Sequence, residues 1–225
     1  MQPHLEQMKR DWDERQTRMG LTKRAVLFKR FPGWLNEAIH RRHATFVVRH
    51  VPPQARSLLD IGCGYGRLSA EVKRRYPRME FHGVDLCTEF ALAYERDVGP
   101  CFNGPVQEFS TTRRFDAILI VTCLMYLAKH EHGPTLERLW GMLNPGGSLV
   151  CIEPAFEILQ LWRRLTRSDY ASPTGGSVYH FHRSELRDVC HRLPEAVLRD
   201  SATVCLIPGL TMTAIHHAVA VTKPR

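Results

Sequence analysis

No apolar run in the 225 residues approaches the roughly 20 needed to cross a bilayer. The polar start of the chain also lacks the apolar core of a secretion signal. A soluble, cytoplasmic protein with no membrane partner is expected. Organised cysteine is missing too. Seven cysteines are scattered along the chain, odd in number and without a C-x-x-C pair, so no zinc or other metal site and no disulfide framework is expected. Repeats and low-complexity stretches are absent, which sets aside solenoids and fibrous arrays. The length is too short for two domains plus a linker. With 44% hydrophobic residues it suffices for one domain with a sizeable core.

Acidic charge is the scarcer sign. Lys and Arg number 31 against 23 Asp and Glu, for a net charge of +8. Residues 1–50 hold eleven of the basic residues and five of the acidic ones, so most of the excess sits in the first fifth of the chain. This is either the solvated face of amphipathic helices or an attraction for an acidic partner. A carboxylate or phosphate substrate, a carrier protein and nucleic acid all fit that description.

The period of the apolar residues changes along the chain. Leu35, Ala38, Ile39, Phe46 and Val47 have helical spacing, and Pro52-Pro53 stops that helix. From Ser57 onward, short apolar runs alternate with helical stretches. Strands are predicted at 57–61, 80–85, 100–103, 115–121 and 148–153, and helices at 67–76, 89–96, 134–143 and around 186–193. Two last strands, 196–206 and 216–222, meet through Pro208-Gly209 with no helix between them. The pattern predicts an α/β fold with a doubly wound, mostly parallel sheet of seven strands and an antiparallel edge. Residues 1–50 form a helical N-terminal cap, residues 51–225 the main domain, and residues 154–182 a lid-like insertion after the fifth strand.

In such sheets, ligands bind beyond the carboxyl ends of the strands. The first strand ends in Asp60-Ile61-Gly62-Cys63-Gly64-Tyr65-Gly66, and Asp85 closes the second. Glycine lets the backbone turn tightly and approach a ligand, and an acid at Asp85 can accept both hydroxyls of a ribose. A dinucleotide is disfavoured, because the spacing is not G-x-G-x-x-G and Asp60 repels a pyrophosphate. A ribose joined to a cationic amino-acid tail fits better, which describes S-adenosylmethionine (SAM).

Four stretches carry a resemblance: Leu58–Gly66, Phe81–Leu86, Phe115–Leu127 and Leu143–Pro154. In order and spacing they resemble the class I SAM-dependent methyltransferases over roughly residues 55–222. The resemblance implies that Asp60 lies near the methionine amino group, and that Gly62, Cys63, Gly64 and Gly66 wall the cofactor. It also implies that Asp85 holds the ribose, Leu86 flanks the adenine, and Val121 and Thr122 face the methionine moiety. The family often places an Asp in a third motif near the adenine. Here the stretch is Gly104-Pro105-Val106-Gln107-Glu108, and Val106 and Gln107 are the substitutes. At the N-terminus, Asp11–Arg15 resembles the W-[D/N]-x-R start of many small-molecule members, in which a helix folds over the cofactor. This makes Trp12 and Arg15 candidates for cofactor contacts.

Methyl transfer is an in-line displacement governed by positioning, and a hydroxyl acceptor also needs a general base. Candidates at the strand ends are Glu153, as substrate anchor or base, Tyr126, facing the substrate, and His180 or His182 after the insertion. His130, His132, His216 and His217 have weaker claims, and Cys123 reads as a buried thiol without a catalytic role. The [D/N/S]-P-P-[Y/F/W] motif of base and glutamine methylation is absent; that place reads Val121–Tyr126. The expected activity is O- or N-methylation of a small molecule in specialised metabolism, with an anionic substrate if the basic N-terminal residues face the pocket. The alternatives are an RNA or protein methyltransferase, or a non-catalytic SAM-binding subunit; nucleic acid is not the favoured partner.

Overall fold

The computed structural model describes residues 3–158, 161 and 178–225. Seven strands form one sheet: β1 (Ser57–Ile61), β2 (Glu80–Asp85), β3 (Cys101–Asn103), β4 (Phe115–Val121), β5 (Leu143–Pro154), β6 (Val197–Cys205) and β7 (Ala214–Thr222). Their order is β3-β2-β1-β4-β5-β7-β6. The first five run parallel, and β7 is antiparallel to both β5 and β6. Strand order reverses between β1 and β4, which opens a crevice above their carboxyl ends.

The helices are α1 (Pro3–Met19), α2 (Lys23–Val26), α3 (Gly33–His50), α4 (Ser69–Arg75), α5 (Thr88–Asp97), α6 (His132–Gly141) and α7 (Arg183–His191). Alternation along the strands sends their side chains to two cores. Leu59, Ile61, Ile118 and Ile120 pack against Leu136, Leu139 and Trp140 of α6 and Leu186 of α7. On the other face, Leu58, Leu119, Val121 and Ile152 pack against Phe46 and Val47 of α3 and Val72 of α4. Each such side chain contributes about 1.5–3 kcal/mol by leaving water. Helix α3 is thus a layer of the domain, whereas α1 and α2 lie over the carboxyl edge of the sheet.

Several boundaries differ from the sequence pattern, two of them for a visible reason. Strand β5 begins at Leu143 rather than Ser148, because Leu143 pairs with Phe115 before the Gly146 turn and pairing resumes at Ser148. Helix α4 starts at Ser69, two residues after Arg67, because the glycine turn extends into that stretch. Most of the lid-like insertion expected over 154–182 lies outside the described residues. The ends of this insertion are pinned together. Phe156 N–H donates to the Phe181 carbonyl, and Phe181 N–H to the Pro154 carbonyl, each at 2.9 Å. Among the described residues no helix is long and apolar enough to cross a membrane, and no group of three or more His, Cys, Asp or Glu side chains is placed to hold a metal ion.

Candidate active site

A cleft opens above the carboxyl ends of β1, β2 and β4, enclosing about 710 Å³ including its mouth. Its floor is the turn after β1. Gly62 and Gly64 have φ of +67° and +55°, in the left-handed region that only glycine enters without strain. A Cβ at Gly62 would lie 3.0 Å from the Cys123 Cβ, and one at Gly64 would lie 3.2 Å from the Val26 side chain. The turn needs glycine for its shape and for the space above it.

Asp85 reaches this floor from β2. One carboxylate oxygen accepts the Gly64 N–H at 2.7 Å and the other the Cys87 N–H at 2.9 Å. Burial pushes its pKa up to about 6, against the pull of these two hydrogen bonds. Each oxygen keeps a lone pair for a donor in the cleft. Leu86, Val106, Gln107 and Thr122 line the same space. Thr122 is one of two non-glycine residues with positive φ among the described residues, at 54°. Its hydroxyl donates to the Val121 carbonyl at 2.7 Å, and its N–H to the Ile152 carbonyl, also at 2.7 Å. A β-branched residue held in that conformation marks a backbone fixed by its surroundings.

Several expected contacts are corrected by the fold. Asp60 is 3% exposed and points to the α3–α4 face, where Ser69 donates to it at 2.7 Å. Burial raises its pKa to about 7, and it supports the turn from behind without lining the cleft. Cys63 is buried beneath the turn, its sulfur 3.7 Å from that of Cys101. Gly66 packs against Val98 and Tyr94, and Val121 belongs to the α3-side core. Alternation and the tightness of the turn put all four below the surface that a ligand meets.

Glu153 is fully buried and does not face substrate. Its carboxylate accepts the N–H groups of Cys123 at 3.0 Å, Leu124 at 2.8 Å and Met125 at 3.2 Å. It therefore braces the turn that follows β4. Burial outweighs those donors and pushes its pKa up to about 8. Cys123 is half-buried; it packs against the core below and lines the cleft above. Burial and the nearby carboxylates hold its thiol pKa well above the ordinary value, so it is no nucleophile. Tyr126 lines the cleft.

The roof comes from α1. Leu5, Met8 and Trp12 recur at helical spacing and face the cleft. The Trp12 ring meets Tyr126 edge-on at 5.6 Å and Phe90 at 6.3 Å. Lys9 and Asp13 fix this helix to Thr88 of α5, with bonds of 2.8 Å to its hydroxyl and 3.3 Å from its N–H. Arg15 is corrected. Its guanidinium lies 5.0 Å from the Trp12 ring and donates to the carbonyls of Arg24 and Leu27, so it joins α1 to α2. Leu5, Met8, Val26 and Phe90 carried no recognisable motif. The helical period of 5, 8 and 12 was the available signal.

Neither candidate histidine lines this cleft. His182 is exposed ahead of α7 and packs on Phe156 with ring centres 4.3 Å apart. His180 is half-buried, with Nδ1 3.2 Å from the Val178 carbonyl. The basic N-terminal residues are also engaged elsewhere. Lys23 and Arg41 pair with Glu37, Arg18 pairs with Glu14, and Arg42 donates to the Cys205 carbonyl.

A nucleoside with a short polar tail fits these residues. Asp85 offers acceptors for two hydroxyls, the glycine floor leaves room that a Cβ would fill, and Leu86, Val106 and Phe90 form apolar walls. Residues 58–147 match the model of a methyltransferase domain. Over 134 residues the chain is 29% identical to a trans-aconitate 2-methyltransferase of Pseudomonas aeruginosa, covering 56% of this chain and 48% of that one. It is 32% identical over 124 residues to a dTDP-3-amino-3,6-dideoxy-alpha-D-glucopyranose N,N-dimethyltransferase of Streptomyces fradiae, covering 51% and 46%. The chain spans about half the length of the curated relatives it matches. In fold it is similar to the 1,6-didemethyltoxoflavin-N1-methyltransferase of Burkholderia thailandensis solved with S-adenosylhomocysteine. There the TM-score is 0.63 at 23% identity, with 85% of this chain and 81% of that chain covered.

Proposed function

We propose that the chain is a class I SAM-dependent methyltransferase, as its match to a methyltransferase domain and its relatives support, and that it methylates an oxygen or nitrogen of a small anionic molecule in the cytoplasm. The observation that carries this reading is the half-buried Asp85 carboxylate above the Gly62–Gly64 floor, roofed by Trp12. Relatives named for trans-aconitate and for an amino sugar support a small acceptor. Seven unpaired cysteines support a reducing compartment.

When bound, SAM supplies an electrophilic methyl group on a sulfonium. The protein's part is to hold, align and dry the reactants. Asp85 accepts the ribose hydroxyls, and Leu86 and Val106 flank the base. Trp12, Leu5 and Met8 cover the cleft and exclude water. Glu153 fixes the turn bearing Cys123 and Met125, next to Thr122, and so sets that wall of the site. Among the described residues, the titratable groups lining the cleft are Asp85, Cys123 and Tyr126. Asp85 is engaged by backbone donors and the Cys123 thiol is held protonated. This inventory suits an acceptor that is nucleophilic without a base: a carboxylate oxygen or an amine nitrogen.

The test is incubation of the full chain with methyl-labelled SAM and separate small-metabolite, RNA and protein fractions. Label is expected in the metabolite fraction. Label in RNA or protein overturns the small-molecule reading, and no label in any fraction, with S-adenosylhomocysteine still bound, indicates a cofactor-binding subunit.

A further inference from the structure

On the α3 side of the sheet lies a second cavity, of about 310 Å³. It shares no lining residue with the cleft above β1, β2 and β4. Its volume is at the lower end of the range for small-molecule sites. The sequence explains why it exists. Phe46 and Val47 of α3 pack on β1, β4 and β5, and beyond them the sheet continues to β7 and β6. Ile152, Ala218 and Ala202 stand side by side across β5, β7 and β6. Two alanines in that row leave unfilled the space that larger side chains would occupy beside the helix.

The helix edge of the cavity differs in character from its floor. Arg42, Phe46 and Arg49 recur at intervals of four and three residues, so they share one face of α3, with Arg41 beside them. Phe46 joins Ile152 and the two alanines in lining the cavity, and so do the three arginines. The Arg41 and Arg49 side chains are 76% and 66% exposed. Their charged heads therefore stand in water at the mouth while their stems cover apolar surface.

Among the described residues no carboxylate lines this cavity. Glu37 and Asp200 lie nearby, but both are shared. Glu37 pairs with Lys23 as well as Arg41, and Asp200 lies 3.3 Å from His50 and 4.0 Å from Arg49. Arg42 donates to the Cys205 carbonyl at 2.6 Å. Each guanidinium has five N–H donors, so the mouth holds a surplus of positive charge and of donors.

A cationic mouth over an apolar floor selects its ligand by polarity. A cation is repelled at the mouth, and a small inorganic anion gains nothing from the floor. An anion with an apolar chain gains from both. Its head meets the forked guanidinium groups, and its chain displaces water from Ala202, Ala218 and Phe46.

We infer that the groove between α3 and the β6–β7 edge is a second binding site, for a small carboxylate that carries an unbranched apolar chain. The site is separate from the cofactor cleft and does not depend on which acceptor is methylated.

The test uses decanoate, titrated calorimetrically into the full chain with and without S-adenosylhomocysteine. One saturable site is expected, with the same affinity in both titrations. Affinity should fall about fourfold for each methylene removed, along the series decanoate, octanoate, hexanoate. Decyltrimethylammonium, with the same chain and the opposite charge, should bind at least about tenfold more weakly. Ala202→Leu, which fills the floor from the edge strand, should lower decanoate affinity about tenfold or more. The exposed pair Arg41→Gln and Arg49→Gln together should lower it about tenfold, and an unchanged thermal unfolding transition shows each variant to be folded. Absence of saturable binding overturns the site, as does equal binding of the ammonium. Competition by S-adenosylhomocysteine overturns it by placing decanoate in the cleft. Full decanoate affinity in folded Ala202→Leu and in the double arginine variant overturns it as well. Binding of a polyglutamate peptide in place of decanoate overturns it and gives this face to an acidic protein.

Discussion

Burial decides what the acids of this site do. Asp85, Asp60 and Glu153 all have pKa values raised by loss of water, yet only Asp85 lines the cleft. Asp85→Ala should weaken S-adenosylhomocysteine binding by about 1.5–3 kcal/mol, the range for charged hydrogen bonds; calorimetric titration measures it. Glu153 gives a prediction in pH. Its pKa rises from 4.5 to about 8 on folding, so between those values the native state binds more protons than the unfolded chain. Its contribution to stability is then complete below pH 4.5 and is lost as pH rises through 8. Glu153→Gln removes that titration. The stability advantage of the wild type over Glu153→Gln should shrink by about 1 kcal/mol per pH unit across this window, as followed by denaturant unfolding. A pH-independent difference contradicts the assignment.

At the scale of elements, the first 50 residues do two jobs. Helix α3 places Phe46 and Val47 in the sheet core, and its removal exposes that face. Helices α1 and α2 cover the cleft and meet the rest through Lys9, Asp13, Trp12 and the buried Ala25. We propose that these two helices are the lid. Deletion of residues 1–30 should therefore abolish turnover while leaving a cooperative unfolding transition, measurable by circular dichroism. The milder change Trp12→Ala should weaken S-adenosylhomocysteine binding about tenfold, which is about 1.4 kcal/mol and in the range of aromatic contacts. Normal turnover in the truncated chain contradicts the lid.

Across the whole molecule, charge acts at two ranges. The excess of basic residues over 1–50 is largely exposed, and several of its members are paired with carboxylates or carbonyls. Under the proposed function it would attract an anionic acceptor from a distance without holding it. Arg67 is half-buried and acts only on its near neighbours His40 and His43. Exposed charges are screened over about 8–10 Å at physiological salt, and sheltered ones much less. Raising ionic strength should therefore lower kcat/KM for the anionic acceptor, by about tenfold for a steered encounter, while leaving kcat unchanged. A neutral acceptor would show no such salt dependence.

The sequence by itself determined the strands, the glycine turn and Asp85, because alternation, glycine content and acid spacing are local properties of the chain. β1, β2 and β4 fall at the residues that the apolar runs marked, and the cleft walls at Leu86, Thr122 and Tyr126 are short-range neighbours of those strands. Tertiary structure decided the rest. Whether Glu153 meets substrate or three backbone N–H groups depends on where the turn after β4 passes. Likewise, Arg15 reaches α2 because α2 packs beside it. His43 and His216 stand 173 residues apart in the chain and 3.2 Å apart in space. Helix α3, the glycine turn and the antiparallel β7 bring them together with Arg67, and no local pattern encodes that meeting. Long-range packing fixes which polar groups lose water, and that loss sets their protonation and their partners.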